Sequence, residues 1–239
     1  QKRLIDDLKR KYKINGEAVD EEDAETSKKE FVEYLEIAVI ALKNAKFGVN
    51  NRIYKKLINP KYWKIIKRTM VIEEKVKPFD AINDIIKNAS KYSIDCAEFV
   101  QISNIYAISK VMGYKKFNSY IEKQSEVFTI RNHGSTGLLS KKSYTRNQPT
   151  EKFFLNDSEK EVLLSGDYQG EDIDIDQLLT ELPAGSRVTL TNLDAPKDVP
   201  YRNENTIKIY KNQFAAHPFG FPFSLEEIKY KLADRKSVV

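Results

Sequence analysis

Cysteine is almost absent from this chain of 239 residues, which contains only Cys96. A single cysteine excludes an internal disulfide framework. Histidine is nearly as rare, and the two that occur, His133 and His217, are far apart in the sequence. One cysteine and two distant histidines cannot furnish a structural zinc site. Chemistry that depends on a thiol or an imidazole therefore has only three candidate side chains.

Long apolar runs and a strong net charge are also missing. The longest apolar stretch, Ile37 to Leu42, is far too short to span a bilayer, so no membrane span is predicted. The net charge of +5 comes from 40 basic and 35 acidic residues, which is a mild excess. The densest basic segment, Lys61 to Arg68, fits a solvated helix face as well as a nucleic-acid site, and we predict no nucleic-acid partner.

The common motifs of nucleotide and serine chemistry are absent too. The chain has no GxGxxG, P-loop or GxSxG pattern, and no cofactor is predicted. Asp172, Asp174 and Asp176 resemble the start of a calcium loop. However, Gln177 and Pro183 stand where that loop needs a glycine and a bidentate acid. We interpret the three aspartates as turn residues and predict no metal site.

The N-terminal part is predicted to be a short helix and a hinge. Apolar residues at helical spacing between residues 2 and 12 predict the helix, and an acidic run at residues 20–23 interrupts it. Ser27, with a glutamate three residues later, has capping-box spacing and predicts the start of a long buried helix. We therefore predict a leading segment over residues 1–26 and one catalytic domain over residues 27–239.

Two further helices are indicated in the first half of the chain. Pro78 introduces a segment with isoleucines on one face. The next helix starts at Cys96, with Asp95 as its N-cap and Glu98 three residues further on, and it is expected to end near Gly113.

The second half of the chain has a different pattern. Residues 132–152 are rich in Gly, Ser, Thr, Lys and Asn, which predicts a mobile loop. Apolar alternation then predicts strands over Ser186 to Leu190, Asn205 to Tyr210 and Phe214 to His217. Helices first and an antiparallel sheet last indicate an α+β fold.

Cys96 is the candidate nucleophile. The start of a helix offers free backbone N–H groups and a partial positive charge, and both lower the pKa of a thiol. The alternative is a small buried hydrophobic residue, which is the usual role of a lone cysteine.

A cysteine nucleophile needs a base and a group that orients the base. A turn near Lys211 and Asn212 pairs positions whose numbers sum to about 421 to 423, which brings Glu204 within a residue or two of His217. A one-residue slip would place them on opposite faces, and a purely structural salt bridge or cap fits the spacing equally well. His133 is interpreted as a surface histidine. A thiol on a helix and a histidine on a later sheet is the papain-like order.

Several segments resemble bacterial protein-glutamine gamma-glutamyltransferases of the spore-coat type found in bacilli. They follow one another between about Phe31 and Gly220. They are Tyr62-Trp63, Pro78 to Asn88, Asp95-Cys96-Ala97, Gly113 to Asn118, Tyr201 to Ile207 and Phe214 to Gly220.

The resemblance implies an activity and a set of site residues. In that family a cysteine attacks the side-chain amide of a protein glutamine, ammonia leaves, and a lysine amine takes the acyl group to form an isopeptide bond. Carried over, Cys96 is the nucleophile and Glu204 its carboxylate partner, with His217 near the same site. Asp95 completes the predicted catalytic set of Cys96, Glu204 and His217; it stands where the family has a glutamate, and its shorter side chain reaches less far.

The same resemblance implies a substrate-binding set and a fold. Trp63, Tyr201 and Asn205 are the predicted substrate-binding residues, and the fold is a papain-like α+β core behind a helical N-terminal segment. The expected partners are a protein with an accessible glutamine and a lysine or other primary amine. The sequence leaves open which of Glu204 and His217 is the base.

Three alternatives remain open at the level of sequence. Water in place of the amine would make the chain a glutamine deamidase or a cysteine protease, as in a toxin or effector domain. A non-catalytic interaction module would keep the fold and leave Cys96 buried. Spore coat and delivered effector are both compatible contexts for such a bacterial protein.

Overall fold

The computed structural model describes residues 21–48, 56–66, 69–123, 127–131, 179–191, 203–217 and 219–234. The predicted helix over residues 2–12, the predicted loop over residues 132–152, His133 and Tyr201 all lie outside these ranges. Within them the chain forms α-helices, short strands and one turn of 3-10 helix at Ala89–Lys91.

The first helix, α1, spans Glu21–Leu42. Its inward face, which includes Leu35, Val39 and Leu42, is fully buried and packs against the later helix that begins at Cys96. The long buried helix is therefore confirmed, but its predicted start is wrong because Ser27 lies inside it. The acidic residues 21–23 are also helical, and the predicted boundary between residues 26 and 27 falls within this helix.

The second helix, α2, spans Pro78–Lys87 and confirms the prediction from Pro78. The proline occupies the first turn, where its missing N–H costs nothing, and Asp80 and Lys87 complement the helix dipole at the two ends. Ile82 and Ile85 are fully buried, so this helix closes one side of the core.

The third helix, α3, spans Cys96–Lys123 and begins at the predicted residue. Gly113 interrupts it with a φ of 75° and a ψ of 164°, a backbone conformation that favours glycine. The prediction of an end near Gly113 is confirmed for the first stretch, and a second helical stretch follows directly.

The strands form one parallel pair and two antiparallel sheets. Strands β1 (Lys46–Phe47) and β4 (Ser93–Ile94) are the parallel pair. Strands β2 (Trp63–Ile66), β3 (Thr69–Ile72) and β5 (Thr129–Arg131) make the first sheet, in the order β2-β3-β5. The second sheet has the order β6-β7-β8-β9, with β6 at Arg187–Thr191, β7 at Asn203–Tyr210, β8 at Gln213–Ala216 and β9 at Gly220–Phe223. The last helix, α4, spans Leu225–Asp234.

The α+β class and the three predicted strands of the second sheet are confirmed. The strict order of helices first and sheet last is wrong, because the first sheet lies in the helical half of the chain. Its strands have three or four residues each, and β3 is apolar without alternation, so they give no period-two signal.

The second sheet places the start of β7 beside the start of α3. Ile207, Ile209 and Ala215 face the helical core, whereas Phe214 and Ala216 pack with Ile228 of α4 on the other face. Gly185 leads into β6 with a φ of +84°, and a Cβ there would lie 2.6 Å from Asn104 Oδ1 on α3. Only glycine allows this close approach, which seats β6 against the helix that carries Cys96.

Candidate active site

The turn before α3 is closed by a reciprocal capping box. The Asp95 Oδ1 atom accepts a hydrogen bond from Glu98 N at 2.8 Å, and Glu98 Oε2 accepts one from Asp95 N at 2.9 Å. Phe99 N also donates to the carbonyl oxygen of Asp95, at 2.9 Å. The predicted N-cap role of Asp95 therefore has the expected geometry. These bonds fix the backbone on both sides of Cys96.

A buried ion pair supports this turn from outside the helix. Lys56 Nζ contacts Glu98 Oε1, and the Glu98 side chain is 1% exposed. Burial raises the pKa of Glu98 to about 7, against the opposing effect of the Lys56 charge. The segment that carries Lys56 is held in turn by Leu57, whose N–H donates to Ser93 Oγ at 2.8 Å and whose carbonyl accepts from Ser93 N at 3.0 Å.

The sulfur of Cys96 meets the start of β7. Asn205 Nδ2 donates to Cys96 Sγ at 3.0 Å, and Asn205 is fully buried. Its Oδ1 atom accepts two further hydrogen bonds, from Arg187 Nε at 2.7 Å and from Thr189 Oγ1 at 3.0 Å. The predicted substrate-binding residue Asn205 is thus a direct partner of the thiol.

Burial and negative charge raise the pKa of the Cys96 thiol to about 11. Burial is the largest cause, the carboxylate of Glu204 is the next, and Asp95 adds a smaller effect, while hydrogen bonding from Asn205 acts in the opposite direction. The expectation of a lowered pKa for the Cys96 thiol is therefore wrong. The helix start supplies donors, but desolvation and two neighbouring carboxylates outweigh them.

Glu204 is 2% exposed and stands in β7, opposite Leu190 of β6. In the β7–β8 hairpin, Thr206 pairs with Ala216 and Ile207 with Ala215, which is within the predicted register. The paired region of β8 ends at Ala216, one residue before His217. Continued by one position, the same register would set Asn205, and not Glu204, opposite His217.

His217 is fully buried and directed toward the core of the helical half. Its Nε2 atom is 3.1 Å from the carbonyl oxygen of Ala45. Its ring packs between Phe47 and Phe99, with centroid distances of 5.5 and 5.7 Å. These contacts tie the β7–β8 hairpin to β1 and to α3.

Trp63 occupies a core position. Its side chain is 1% exposed, and its ring packs on Phe128 with a centroid distance of 6.0 Å. This burial favours a structural role over the predicted role in substrate binding, since a substrate-binding residue must present a face to the substrate. Tyr201, another predicted substrate-binding residue, lies outside the described ranges.

The start of α3 presents two backbone donors beside the sulfur. The capping box engages the N–H groups of Asp95 and Glu98. The two amides between them, those of Cys96 and Ala97, have no hydrogen-bond partner among the residues described. Such donors at a helix start stabilise a negatively charged oxygen.

Sequence reasoning missed Arg187, Thr189 and Lys56. Arg187 and Thr189 alternate along β6 and pair with Ile207 and Asn205 of β7. With the β6–β7 register known, strand alternation would have placed Arg187 and Thr189 on the same face of the sheet as Asn205. No local signal marks Lys56, because its partner is 42 residues away.

Two kinds of feature are not found in the described ranges. None of the helices there is long and apolar enough to cross a membrane. No three side chains of the His, Cys, Asp or Glu type there are grouped closely enough to hold a metal ion.

A thiol on the first turn of a buried helix, set against an antiparallel sheet, defines the papain-like class of thiol enzymes. The model of the protein-glutamine gamma-glutamyltransferase family matches residues 36–237, which is most of the chain. The chain belongs to this family.

Two relatives agree with this assignment. The chain is 34% identical over 65 residues to a protein-glutamine gamma-glutamyltransferase of Halalkalibacterium halodurans; the match covers 27% of this chain and 23% of that protein. Its fold is similar to that of a transglutaminase from Geobacillus stearothermophilus without its C-terminal extension, with a TM-score of 0.59 and 19% identity. That match covers 90% of this chain and 85% of the solved one.

Proposed function

We propose that the chain is a cysteine-dependent acyltransferase that joins protein glutamine side chains to lysine or other primary amines through isopeptide bonds. The observation that carries the proposal is the setting of Cys96, at the start of α3 with Asn205 on its sulfur and the charge of Glu204 acting on it. Family membership supplies the substrate class. We assign the catalysis to residues 27–239, because the family match falls within them.

In the resting site we place the neutral thiol of Cys96 next to the carboxylate of Glu204, whose charge acts on it. The pKa of Cys96, about 11, keeps the proton on sulfur at neutral pH. We assign Glu204 as the base that takes this proton while Sγ attacks the carboxamide carbon of a bound glutamine. A carbon–sulfur bond forms, and the carbonyl oxygen becomes an oxyanion.

We assign the N–H groups of Cys96 and Ala97 as donors to that oxyanion. Glu204 then returns its proton to the departing nitrogen, the carbon–nitrogen bond breaks, and ammonia leaves. The product of this half-reaction is a thioester on Cys96.

The second half-reaction repeats these steps with an amine. The lysine nitrogen attacks the thioester carbon and loses a proton to Glu204, the carbon–sulfur bond breaks, and the proton returns to the sulfur. Atoms and charges balance without a cofactor. Water in place of the amine would give a glutamate side chain, so the exclusion of water decides between transfer and deamidation.

His217 and Asp95 receive positioning roles in this proposal. The bond of His217 to Ala45 and its two aromatic neighbours support a role in holding the hairpin that carries Glu204 and Asn205. Asp95 is assigned as the N-cap of α3, on the evidence of its bond to Glu98 N. The base is therefore assigned to Glu204 and not to His217.

The test uses a glutamine-rich protein and a labelled primary amine. We expect the chain to incorporate the amine and release ammonia, and we expect Cys96→Ala to abolish both. Cys96→Ser keeps the size of the side chain and controls for packing. It should lose at least about a thousandfold in rate, because a serine hydroxyl without a strong base is a weak nucleophile. Ammonia release without amine incorporation would instead indicate a deamidase, and new chain termini a protease.

A further inference from the structure

A line of two hydrogen bonds connects a cation on β6 to the sulfur of Cys96. Arg187 Nε donates to Asn205 Oδ1 at 2.7 Å, and Asn205 Nδ2 donates to Cys96 Sγ at 3.0 Å. None of the ion pairs among the described residues involves Arg187. The bond to Asn205 is therefore its principal polar contact in this part of the chain.

The two donors on Asn205 Oδ1 determine which way the amide faces. Arg187 Nε–H and the Thr189 hydroxyl both present hydrogen atoms to this oxygen. If the amide of Asn205 were flipped, its NH₂ group would meet the Arg187 donor and its oxygen would meet the sulfur. A guanidinium has no acceptor, so the flipped amide would lose a charge-assisted bond. The observed orientation directs the N–H of Asn205 at the sulfur.

This donor has most effect on the anionic form of the sulfur. A hydrogen bond to a charged acceptor is stronger than one to a neutral acceptor by roughly a factor of two. The charged groups near the sulfur on the other elements are Asp95 at the start of α3 and Glu204 on β7, while Glu98 of the first turn is paired with Lys56. The carboxylates of Glu204 and Asp95 oppose a negative sulfur, and the oriented amide of Asn205 is the identified side-chain contact that favours it.

We propose that Arg187 is a positioning residue for the nucleophile: its Nε–H holds the Asn205 amide in the orientation that stabilises the anionic sulfur of Cys96 during attack. The proposal rests on the function proposed above, and it adds a residue that acts through Asn205 and not on the substrate. Thr189 is the weaker second donor, because its side chain is exposed and water can replace it.

A matched pair of substitutions separates the donor from the bulk of the side chain. In Arg187→Gln, the amide nitrogen falls where Arg187 Nε stands, so a neutral donor to Asn205 remains. In Arg187→Met, the side chain has similar length and no donor. The readout is the rate of alkylation of Cys96 by iodoacetamide between pH 7 and 10 in protein whose circular-dichroism melting curve is cooperative.

We expect Arg187→Met to slow alkylation about tenfold below the thiol midpoint, equivalent to an upward shift of about one pH unit, since a bond to a charged group is lost. Arg187→Gln should remain within about threefold of the wild type, and Thr189→Val within about twofold. Equal rates in the Gln and Met variants would overturn the proposal, because neither donor nor orientation would then matter.

A third variant decides the question if Arg187→Met does not fold. Asn205→Asp is isosteric and keeps an oxygen for Arg187 and Thr189, but it presents an acceptor to the sulfur where the amide nitrogen was. It should slow alkylation at pH 8 by at least about tenfold. An unchanged rate in this variant would overturn the proposal.

The alkylation readout does not depend on amine transfer. If the variants show the expected alkylation rates but the wild type transfers no amine, the proposed function is refuted and the role of Arg187 stands. If the wild type transfers amine but Arg187→Gln and Arg187→Met are alkylated at equal rates, the role of Arg187 is refuted and the proposed function stands.

Discussion

The helix side and the sheet side of Cys96 each contain one almost fully buried glutamate, and the two are used differently. Glu98, on the helix side, has one oxygen on Lys56 and the other on the backbone of Asp95. Glu204, on the sheet side, acts on the thiol by its charge. A carboxylate whose oxygens are both engaged in the scaffold holds the turn, whereas one whose charge bears on the sulfur is suited to exchange a proton with it.

The largest effect is expected at Glu204. We expect Glu204→Gln to lower the rate of amine incorporation by about 10²- to 10⁴-fold, the usual contribution of a general base. The same change should make alkylation of Cys96 by iodoacetamide faster at pH 8, because loss of the negative charge lowers the thiol pKa. Opposite changes in the two rates separate thiol reactivity from catalysis.

Asp95→Asn is the matched control for that experiment, because it also removes a carboxylate next to Cys96. Asparagine is an equally good N-cap, so the fold should be kept. Its amine-incorporation rate should fall far less than that of Glu204→Gln. Equal losses in the two variants would contradict the assignment of Glu204 as the base.

The next effect is on stability and tests the helix side. Lys56→Met should lower the free energy of unfolding by about 2–4 kcal/mol, since it leaves the buried Glu98 without its cation. Lys28→Met is the matched control, because Lys28 pairs with Glu25 at 3.1 Å on the surface of α1. That exposed pair should contribute less than about 0.5 kcal/mol. Urea unfolding at pH 7 measures both, and similar losses would show that Glu98 does not depend on Lys56.

The smallest effect is a pH dependence of the free energy of unfolding that we assign to Glu98. Its pKa in the folded protein, about 7, is higher than the ordinary value of 4.5. The native state therefore binds this proton more tightly than the unfolded state between these values. The contribution to stability is present at low pH and is lost as the pH rises toward 7.

Between pH 4.5 and pH 7, the free energy of unfolding of the wild type should fall by about 1–3 kcal/mol relative to that of Glu98→Gln. Urea unfolding of both proteins at three pH values measures this difference. A constant difference over the range would mean that Glu98 keeps an ordinary pKa in the fold.

Sequence patterns predicted the parts of the site that depend on local spacing. Asp95 and Glu98 have capping-box spacing on either side of Cys96, and the structure has the helix start and both capping bonds. The β7–β8 register followed from the position of its turn. The same capping spacing was misleading at Ser27, because α1 already has good helix formers on the N-terminal side of it.

The remaining parts depend on packing between distant segments. The sign of the Cys96 pKa shift was wrong because burial of the sulfur and the approach of Glu204 have no local signal. Arg187 reaches the sulfur only through Asn205, and Lys56 meets Glu98 only in the folded chain. Short strands such as β2 and β3 are stabilised by their neighbours and not by their own periodicity.

The separation of these partners along the chain affects when the nucleophile acquires its surroundings during folding. Asn205 is 109 residues from Cys96, and Lys56 is 42 residues from Glu98. Contacts of such high sequence separation form late, because the loops between them must be closed first. A chain still emerging from the ribosome at residue 123 has a complete α3 but neither Glu204 nor Asn205. The thiol therefore meets Asn205 and Glu204 only when synthesis of the second sheet is finished.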